Sequence, residues 1–503
     1  MRFKREIPMH LSKEIYAEIE NIVGPENICG DPAIMPSYHD SEIGAVVLPK
    51  DAEEVQAIVK LCNKHKIQFI AMSTGFIRAQ IPRGSIYLDL RRMNHIIEIN
   101  EENMYAVVEP YVTSAELQAE LFKRGLNCSI KGSGSQCTSI IRGHGHMDIS
   151  TSGDDRNQLA MEWVTPAGDL IRLGSLGSVN EWFCGDGPGP SLRGVISGRG
   201  SGDALAEGGV ITKSAMKLYH WPGPVEFPLE GNSPNYNLKE MPAHFMIRYF
   251  SFPSVDKMYE AELKIGESEI AFELMGFNVA MLSANVSSSL EKEIQFLEKA
   301  KKEVQGPGFY VIIAANSQEE FEYNQKVLEQ IITETGGKSL KLVEDPRVAG
   351  ILLIHGIRIC ASIRETFRSR APGGKAYGFQ IMGQRDVCIK WIGEAAERKK
   401  KLIEKGLGAD DGGVFFGWSV EHSHLGKTEI FFDPSPDPRS VEAILAWQQE
   451  TAWNALNNHL AVPTHLPLEI IGPRVSNYHI WSKKMDEAFN PNGVTIFLPS
   501  LTG

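Results

Sequence analysis

The chain has 503 residues, of which 42% are hydrophobic, and a formal net charge of −12. That length suggests two or more domains, each with room for a sizeable core. The acidic balance excludes a general nucleic-acid or anionic-membrane binder, because both need basic surface, and no apolar run reaches the roughly 18–20 residues of a membrane span.

Cys29, Cys62, Cys128, Cys137, Cys184, Cys360 and Cys388 are scattered, with no C-x-x-C pair. An odd, unclustered set fits free thiols in a reducing compartment and gives no support for structural zinc or an iron–sulfur cluster. The opening MRFKREIPMHLSKEIY carries charge but no apolar centre, so it does not read as a secretory signal. These features together predict a cytoplasmic location.

In chain order, residues 8–24 predict a short amphipathic helix. From Gly44 to Thr113 the pattern is strand, helix, strand, tight polar loop and two further strands. Ala45-Val46-Val47-Leu48-Pro49 is apolar and ended by proline. Asp51 with Glu54 forms a capping-box pair ahead of Val55, Ile58, Val59 and Cys62, which recur at helical spacing. Gln68-Phe69-Ile70-Ala71-Met72 reads as a buried strand running into Ser73-Thr74-Gly75. A small-residue turn at a strand end frees backbone N–H groups, and such a nest suits a diphosphate.

Thr113 with Glu116 caps another helix, which Gly125 can end. A segment rich in small residues follows, from Lys131 through Arg142-Gly143-His144-Gly145-His146-Met147-Asp148. Leu159–Arg172 has the turn chemistry of a hairpin. Gly209–Tyr219 alternates like a strand and stops at His220-Trp221-Pro222-Gly223-Pro224. Prolines and asparagines over 225–245 mark a domain boundary. Beyond it, helices near 254–266, 284–303, 317–336 and 387–406 are separated by strands such as FYVIIAA and GVFFGWSV, an α+β pattern. The tail NYHIWSKKMDEAFNPNGV reads as an amphipathic helix entering a turn.

Several of these stretches resemble, in order and spacing, the FAD-dependent oxidoreductases of the vanillyl-alcohol oxidase and p-cresol methylhydroxylase superfamily. They are EEVQAIVKLCNKHKI, STG, LDLRRMNHIIEI, YAVVEPYVT, GDGPGPSLRGVIS, GGVITKSAMKLYHWPGP and MDEAFNPNGV. The resemblance implies an α+β fold: a split PCMH-type FAD-binding domain of two α+β subdomains, with an inserted α+β cap. Residues 1–225 would form the first part of the FAD-binding domain, 226–464 the cap, and 465–503 the segment returning to the FAD domain. It further implies that Ser73, Thr74, Gly75, Phe76, Ile77 and Arg78 wrap the pyrophosphate. Gly143, His144, Gly145 and His146 would pass close to diphosphate and flavin, where glycine permits backbone approach. Val210 and Ile211 would reach the adenine or ribose side through backbone groups. An acidic residue near flavin N5 falls on Asp154 or Asp155.

The departures from the family bear on substrate. Phenol-oxidising members carry a tyrosine in the loop after the STG-like turn; here the loop is shortened and Gln80 stands nearest. They also carry a Tyr-Arg pair where this chain has Val462-Pro463, before Thr464-His465-Leu466. Neither valine nor proline can bind a phenolate. The STG turn holds no histidine for a covalent flavin link, and GGKAYGFQIM offers Tyr377 but no histidine, so dissociable FAD is expected.

Histidines supply the competing readings. His144-Gly145-His146-Met147-Asp148 has the H-x-H-x-D spacing of binuclear metal hydrolases, since imidazoles two apart in an extended loop can meet one cation. Glu421-His422-Ser423-His424 is a second H-x-H, with His465 and His479 in the tail. It reads either as a divalent-metal site against a substrate carboxylate or as two packing histidines that a strand puts on one face. His422 or His465 could also act as general base for a substrate hydroxyl. The expectation is an FAD-dependent oxidoreductase, binding no metal, that takes hydride from a small alcohol, hydroxy acid or aromatic compound. Its partners would be that small molecule and an electron-acceptor protein within a homo- or hetero-oligomer. A flavin-binding subunit of a larger redox assembly and a metal hydrolase using His144, His146 and Asp148 are the alternatives.

Overall fold

The computed structural model describes residues 11–38, 42–74, 82–130, 139–141, 149–174, 181–182, 208–231, 236–359, 377–408, 416–432, 434–460, 474 and 477–495. Helix α1 (Lys13–Val23) begins where Ser12 accepts from the Ile15 N–H, and it buries Ile19 and Val23. A short sheet follows, built from β1 (Ile28–Cys29), β2 (Ala45–Val47), β3 (Phe69–Met72) and β4 (Ile86–Asp89) in the order β1-β2-β4-β3. Strands β2 and β3 both pair parallel with β4. The crossover between β2 and β3 is helix α2 (Ala52–His65), whose Val55, Ile58, Val59, Leu61 and Cys62 are buried. Its cap differs from the expected box. Asp51 accepts from the Glu54 N–H at 2.9 Å, but the Glu54 carboxylate turns to the Lys50 N–H, also at 2.9 Å. The lysine N–H lies one residue further out, and Lys50 Nζ adds an ion pair with Glu54 at 3.2 Å.

Three strands, not two, occupy the rest of the Gly44–Thr113 stretch, and they belong to different sheets. Strand β4 closes the parallel sheet, whereas β5 (Ile96–Asn100) and β6 (Tyr105–Val108) open a second one with order β5-β6-β10-β8-β9. Helix α3 (Ser114–Phe122) carries a full capping box between Thr113 and Glu116. Strand β7 (Leu126–Cys128) and the hairpin β8 (Gln158–Val164) and β9 (Leu170–Leu173) follow. Strand β10 (Val210–His220) is the centre of this sheet, pairing antiparallel with β6, β7 and β8. A two-stranded ribbon, β11 (Leu229–Glu230) with β12 (Asn237–Leu238), leads into the cap.

The cap is one seven-stranded sheet. Its strands are β13 (Phe245–Ser251), β14 (Glu273–Phe277), β15 (Gly308–Ala314), β16 (Lys338–Ser339), β17 (Tyr377–Gln384), β18 (Phe416–Val420) and β19 (Leu425–Phe432), in the order β16-β13-β15-β14-β18-β19-β17. Alternation along each strand sends residues to opposite faces. Leu274, Val311 and Ile430 face one core with helices α4 (Val255–Glu267), α7 (Gln318–Thr335), α9 (Arg385–Glu404) and α10 (Ser440–Asn457). Met275, Tyr310 and Trp418 face the other core, shared with Trp163, Ile211 and Met216 of the second sheet. Helices α5 (Val279–Val286), α6 (Leu290–Glu303) and α8 (Pro346–Gly356) also pack there. The single helix expected over 284–303 is two, because Ser289 starts a fresh cap by accepting from the Lys292 N–H.

Helix α11 (Tyr478–Phe489) brings the chain back to the first sheet. Phe69 N–H donates to Val494 O at 2.8 Å, and Val494 joins the core of α1, α2 and the parallel strands. The architecture is two α+β parts with an α+β cap inserted between them in the chain.

Candidate active site

Strand β3 ends at Ser73 and Thr74, both half-buried. Thr74 Oγ1 accepts from the Ser139 N–H, 65 positions later in the chain. Ser139 Oγ in turn donates to Pro110 O at 2.6 Å, and the Ile140 N–H donates to Val112 O at 3.1 Å. The end of β3 is therefore tied to the segment that runs directly into residues 142–148. Ser139 stands four positions before Gly143, the start of the second stretch that the sequence assigns to the cofactor. Ser129, 2% exposed, has an Oγ with no hydrogen-bond partner among the described residues. Hydroxyls and small-residue backbone N–H groups are a donor set that fits a diphosphate.

Strand β10 is entered through Gly208 and Gly209, with φ of +86° and +76°. A Cβ on Gly209 would stand 2.2 Å from Val164 O and 2.4 Å from Trp163 Nε1, so only glycine fits. Trp163 Nε1 donates to Gly208 O at 3.1 Å. Val210 and Ile211 are 1% and 6% exposed, with their side chains in the cores. What they can offer a ligand is backbone.

The cap meets the FAD-binding part at the turn between β18 and β19. Glu421, His422 and Ser423 all have positive φ, at 50°, 55° and 69°. Left-handed backbone costs a non-glycine residue roughly 1–2 kcal/mol, so three in succession persist only where the surroundings dictate them. They are dictated from two sides. A Cβ on Gly266 of α4 would lie 2.1 Å from His422 O, so the turn rests directly on that helix. On the other side, the His422 N–H donates to Ile149 O at 2.8 Å and the Glu421 N–H to Thr151 O at 3.0 Å, while the Ile149 N–H donates to Phe272 O at 2.8 Å. Residues 149–151 thus lie between β14 and the turn.

The Glu421 carboxylate completes this junction. It accepts from the Gly153 N–H at 3.1 Å and from Arg156 Nη1, at 2.7 Å for Oε2. Burial works against its charge, but Gly153, Arg156 and Lys217 together hold the Glu421 carboxyl below the usual carboxylate range. Gly153 precedes the turn Asp154–Asn157 and Arg156 lies within it. The inner side of that turn is also fixed: Tyr219 Oη donates to Asn157 Oδ1 at 2.6 Å, accepts from the Ser152 N–H at 2.9 Å, and Lys217 Nζ donates to Ser152 Oγ at 3.2 Å.

Of the three residues expected to be catalytic, Asp154 follows Gly153 and His422 follows Glu421 in the chain, and the Gly153 N–H donates to the Glu421 carboxylate. His422 Nδ1 is buried, without a hydrogen-bond partner among the described residues. His424 is exposed. The H-x-H pair therefore lies in a turn, left-handed at His422 and Ser423, and not in a strand. No cluster of three potential metal ligands occurs among the described residues. Gly75, Phe76, Ile77, Arg78, Gln80, Gly143, His144, Gly145, His146, Asp148 and His465 lie outside the described residues, as does the side chain of Asp154. Glu421 and Arg156 were missed as a pair by the sequence. They stand 265 positions apart, and only the acidic residue beside an H-x-H hinted at either.

On the cap-sheet face turned toward the second sheet lies a further polar group. Arg358 Nη2 is 3.7 Å from Glu273, with both side chains buried, and Tyr310 Oη donates to Met275 Sδ at 3.2 Å. Burial pushes the Tyr310 phenol up to about 12.

Comparison with known proteins places this geometry. Residues 43–174 match the model of an FAD binding domain. The 4-cresol dehydrogenase [hydroxylating] flavoprotein subunit of Pseudomonas putida is 32% identical over 200 residues, 37% of this chain and 36% of that protein. D-2-hydroxyglutarate dehydrogenase of Stutzerimonas stutzeri (strain A1501) is 29% identical over 222 residues, 41% of this chain and 45% of that protein. In sequence the chain thus spans 36% and 45% of the length of these two relatives. In structure the likeness is longer. A p-cresol methylhydroxylase solved with substrate bound superposes with a TM-score of 0.73 at 18% identity, covering 97% of each chain. An alkyldihydroxyacetonephosphate synthase gives 0.61 at 13% identity, over 98% of this chain and 88% of that one. The segment 143–148 falls within the matched FAD-binding region. Residues 43–174 are an FAD binding domain, the fold of the chain is that of p-cresol methylhydroxylase, and FAD is its cofactor.

Proposed function

We propose that the protein is an FAD-dependent dehydrogenase that oxidises a small hydroxy acid, alcohol or aromatic compound and passes the electrons to a separate acceptor. The observation that carries the reading is the junction at Glu421, which puts the neighbours of Asp154 and His422 in hydrogen-bond contact beside the segment leading from 142–148. When bound, FAD supplies the hydride acceptor. Oxidising a hydroxyl-bearing carbon also releases the hydroxyl proton, and Asp154, His422 and His465 are the groups proposed to receive it. Ser73 to Arg78, Gly143 to His146, Val210 and Ile211 are proposed to hold the cofactor, which we take to be dissociable. The proposed domains are 1–225, 226–464 and 465–503. The return of Val494 to Phe69 supports the last of these.

A phenolic substrate is disfavoured, because Gln80 and Val462-Pro463 stand where a phenolate would need a tyrosine and an arginine. A protein acceptor is supported by the likeness to a flavoprotein subunit. No helix among the described residues is long and apolar enough to cross a membrane. The test is an anaerobic absorbance titration with hydroxy acids and aromatic alcohols. Bleaching of the band near 450 nm by one class identifies the substrate. A protein that carries stoichiometric FAD but is bleached by none points instead to a subunit needing its assembly.

A further inference from the structure

We propose that Glu421 is a positioning residue, which grips the turn Asp154–Asn157 from the cap and sets its geometry against the bound flavin. The proposal rests on the reading of the protein as an FAD enzyme and goes beyond it, because neither Glu421 nor Arg156 belongs to the residues expected to touch cofactor or substrate.

Three observations converge. Glu421 bonds both sides of Asp154, through the Gly153 N–H and the Arg156 guanidinium. It does so from a backbone conformation that glycine or asparagine would adopt more readily, in a turn pressed onto Gly266. The gripped segment is not loose on its other side, where Ser152 and Asn157 are held by Tyr219 and Lys217. A turn held at both edges has one arrangement; released at the Glu421 edge, it can rotate about the Tyr219 contacts. The facing charges are Arg156, which pairs with Glu421, and Lys217, which lies within electrostatic reach of it. Arg156 is 62% exposed and Glu421 32%, so the pair adds little to folding stability, and its effect is expected on the site instead.

The experiment compares wild type with Glu421→Ala, Glu421→Asp, Arg156→Ala and the double alanine variant, using FAD itself as the probe. FAD dissociation constants are read from flavin fluorescence well below the melting temperature, alongside the flavin absorption contour and the melting midpoint of each apoprotein. Each single alanine variant is expected to weaken FAD binding about tenfold, the loss expected for one charged hydrogen-bonding edge. The double variant should be no weaker than the singles, since both act through one turn, and Glu421→Asp should recover part of the loss. Unchanged FAD affinity and contour in variants whose melting midpoint falls would mean a structural role only, and would overturn the proposal. Wild-type protein that takes up no FAD would overturn the functional reading and this proposal together.

Discussion

Inside the cap, Arg385 forks onto Glu262 at 2.6 and 2.7 Å with both side chains out of water, whereas at the junction Arg156 meets Glu421 with solvent on both. The chemistry is the same and the environments are opposite. The interior pair joins α9 to α4 beneath the sheet, and its ions were desolvated once, during folding; only good geometry offsets that penalty. The junction pair kept much of the arginine's hydration and part of the glutamate's, and so contributes little to stability. What it has is location, across the seam between cap and flavin-binding part. One pair joins two helices within the cap, and the other ties the turn between β18 and β19 to Gly153 and Arg156.

This contrast can be broken from the interior outward. Arg385→Ala strands Glu262 as an uncompensated buried charge and is expected to cost about 3–5 kcal/mol in denaturant unfolding. Replacing both residues with apolar ones of similar volume should regain most of that; a double variant no better than the single would show that the pair is essential in itself. Gly266→Ala, a helix position at which alanine ordinarily helps, should here cost about 2–3 kcal/mol, because its Cβ meets His422 O at 2.1 Å. Equal or higher stability of that variant would mean that the turn does not rest on α4. Thr74→Val keeps the shape of the strand end but leaves the Ser139 N–H without its acceptor, an effect of about 1–2 kcal/mol. It should weaken FAD binding about tenfold with little change in the cap, as read by fluorescence titration.

The smallest effect is that of pH on the junction. The Glu421 carboxyl is held below its ordinary range, so its contribution is fully present above the unfolded carboxylate pKa and is lost as pH falls through the depressed folded value. The melting-temperature gap between wild type and Glu421→Gln should reflect less than about 1 kcal/mol at neutral pH and close in acid. A gap constant into strong acid would show that the charge on Glu421 is not what matters.

Much of the fold was legible because it rests on local rules. Helix α7 begins at Ser317 and ends at Gly336 with φ of +73°, punctuation readable from residue type alone. The Thr113 capping box and the alternation of β10 were equally plain. What was not legible is pairing over distance. Nothing local shows that β4 closes one sheet while β5, a few residues on, opens another, or that Arg385 belongs with Glu262. The bond from the Ser139 N–H to Thr74 was not legible either, since the two residues stand 65 positions apart. The junction was not, since His422 and His424 read as an alternating pair until their turn proved left-handed, with left-handed geometry imposed by Gly266 and residues 149–151.

The contact between Phe69 and Val494 has a consequence for the order in which the molecule is made. Gln68 Nε2 also reaches Gly493 O at 3.2 Å, and Asn492 Nδ2 reaches Asn63 Oδ1 at 2.8 Å. The parallel sheet is translated before the cap, yet one of its neighbours is synthesised more than 400 positions later. Between the two comes the whole cap sheet, whose strand pairings all fall between Phe245 and Phe432. A growing chain can therefore finish the cap while the flavin-binding part still lacks its closing segment. Long-range closures of this kind are slow to form, so the parallel sheet waits for a neighbour translated after the cap.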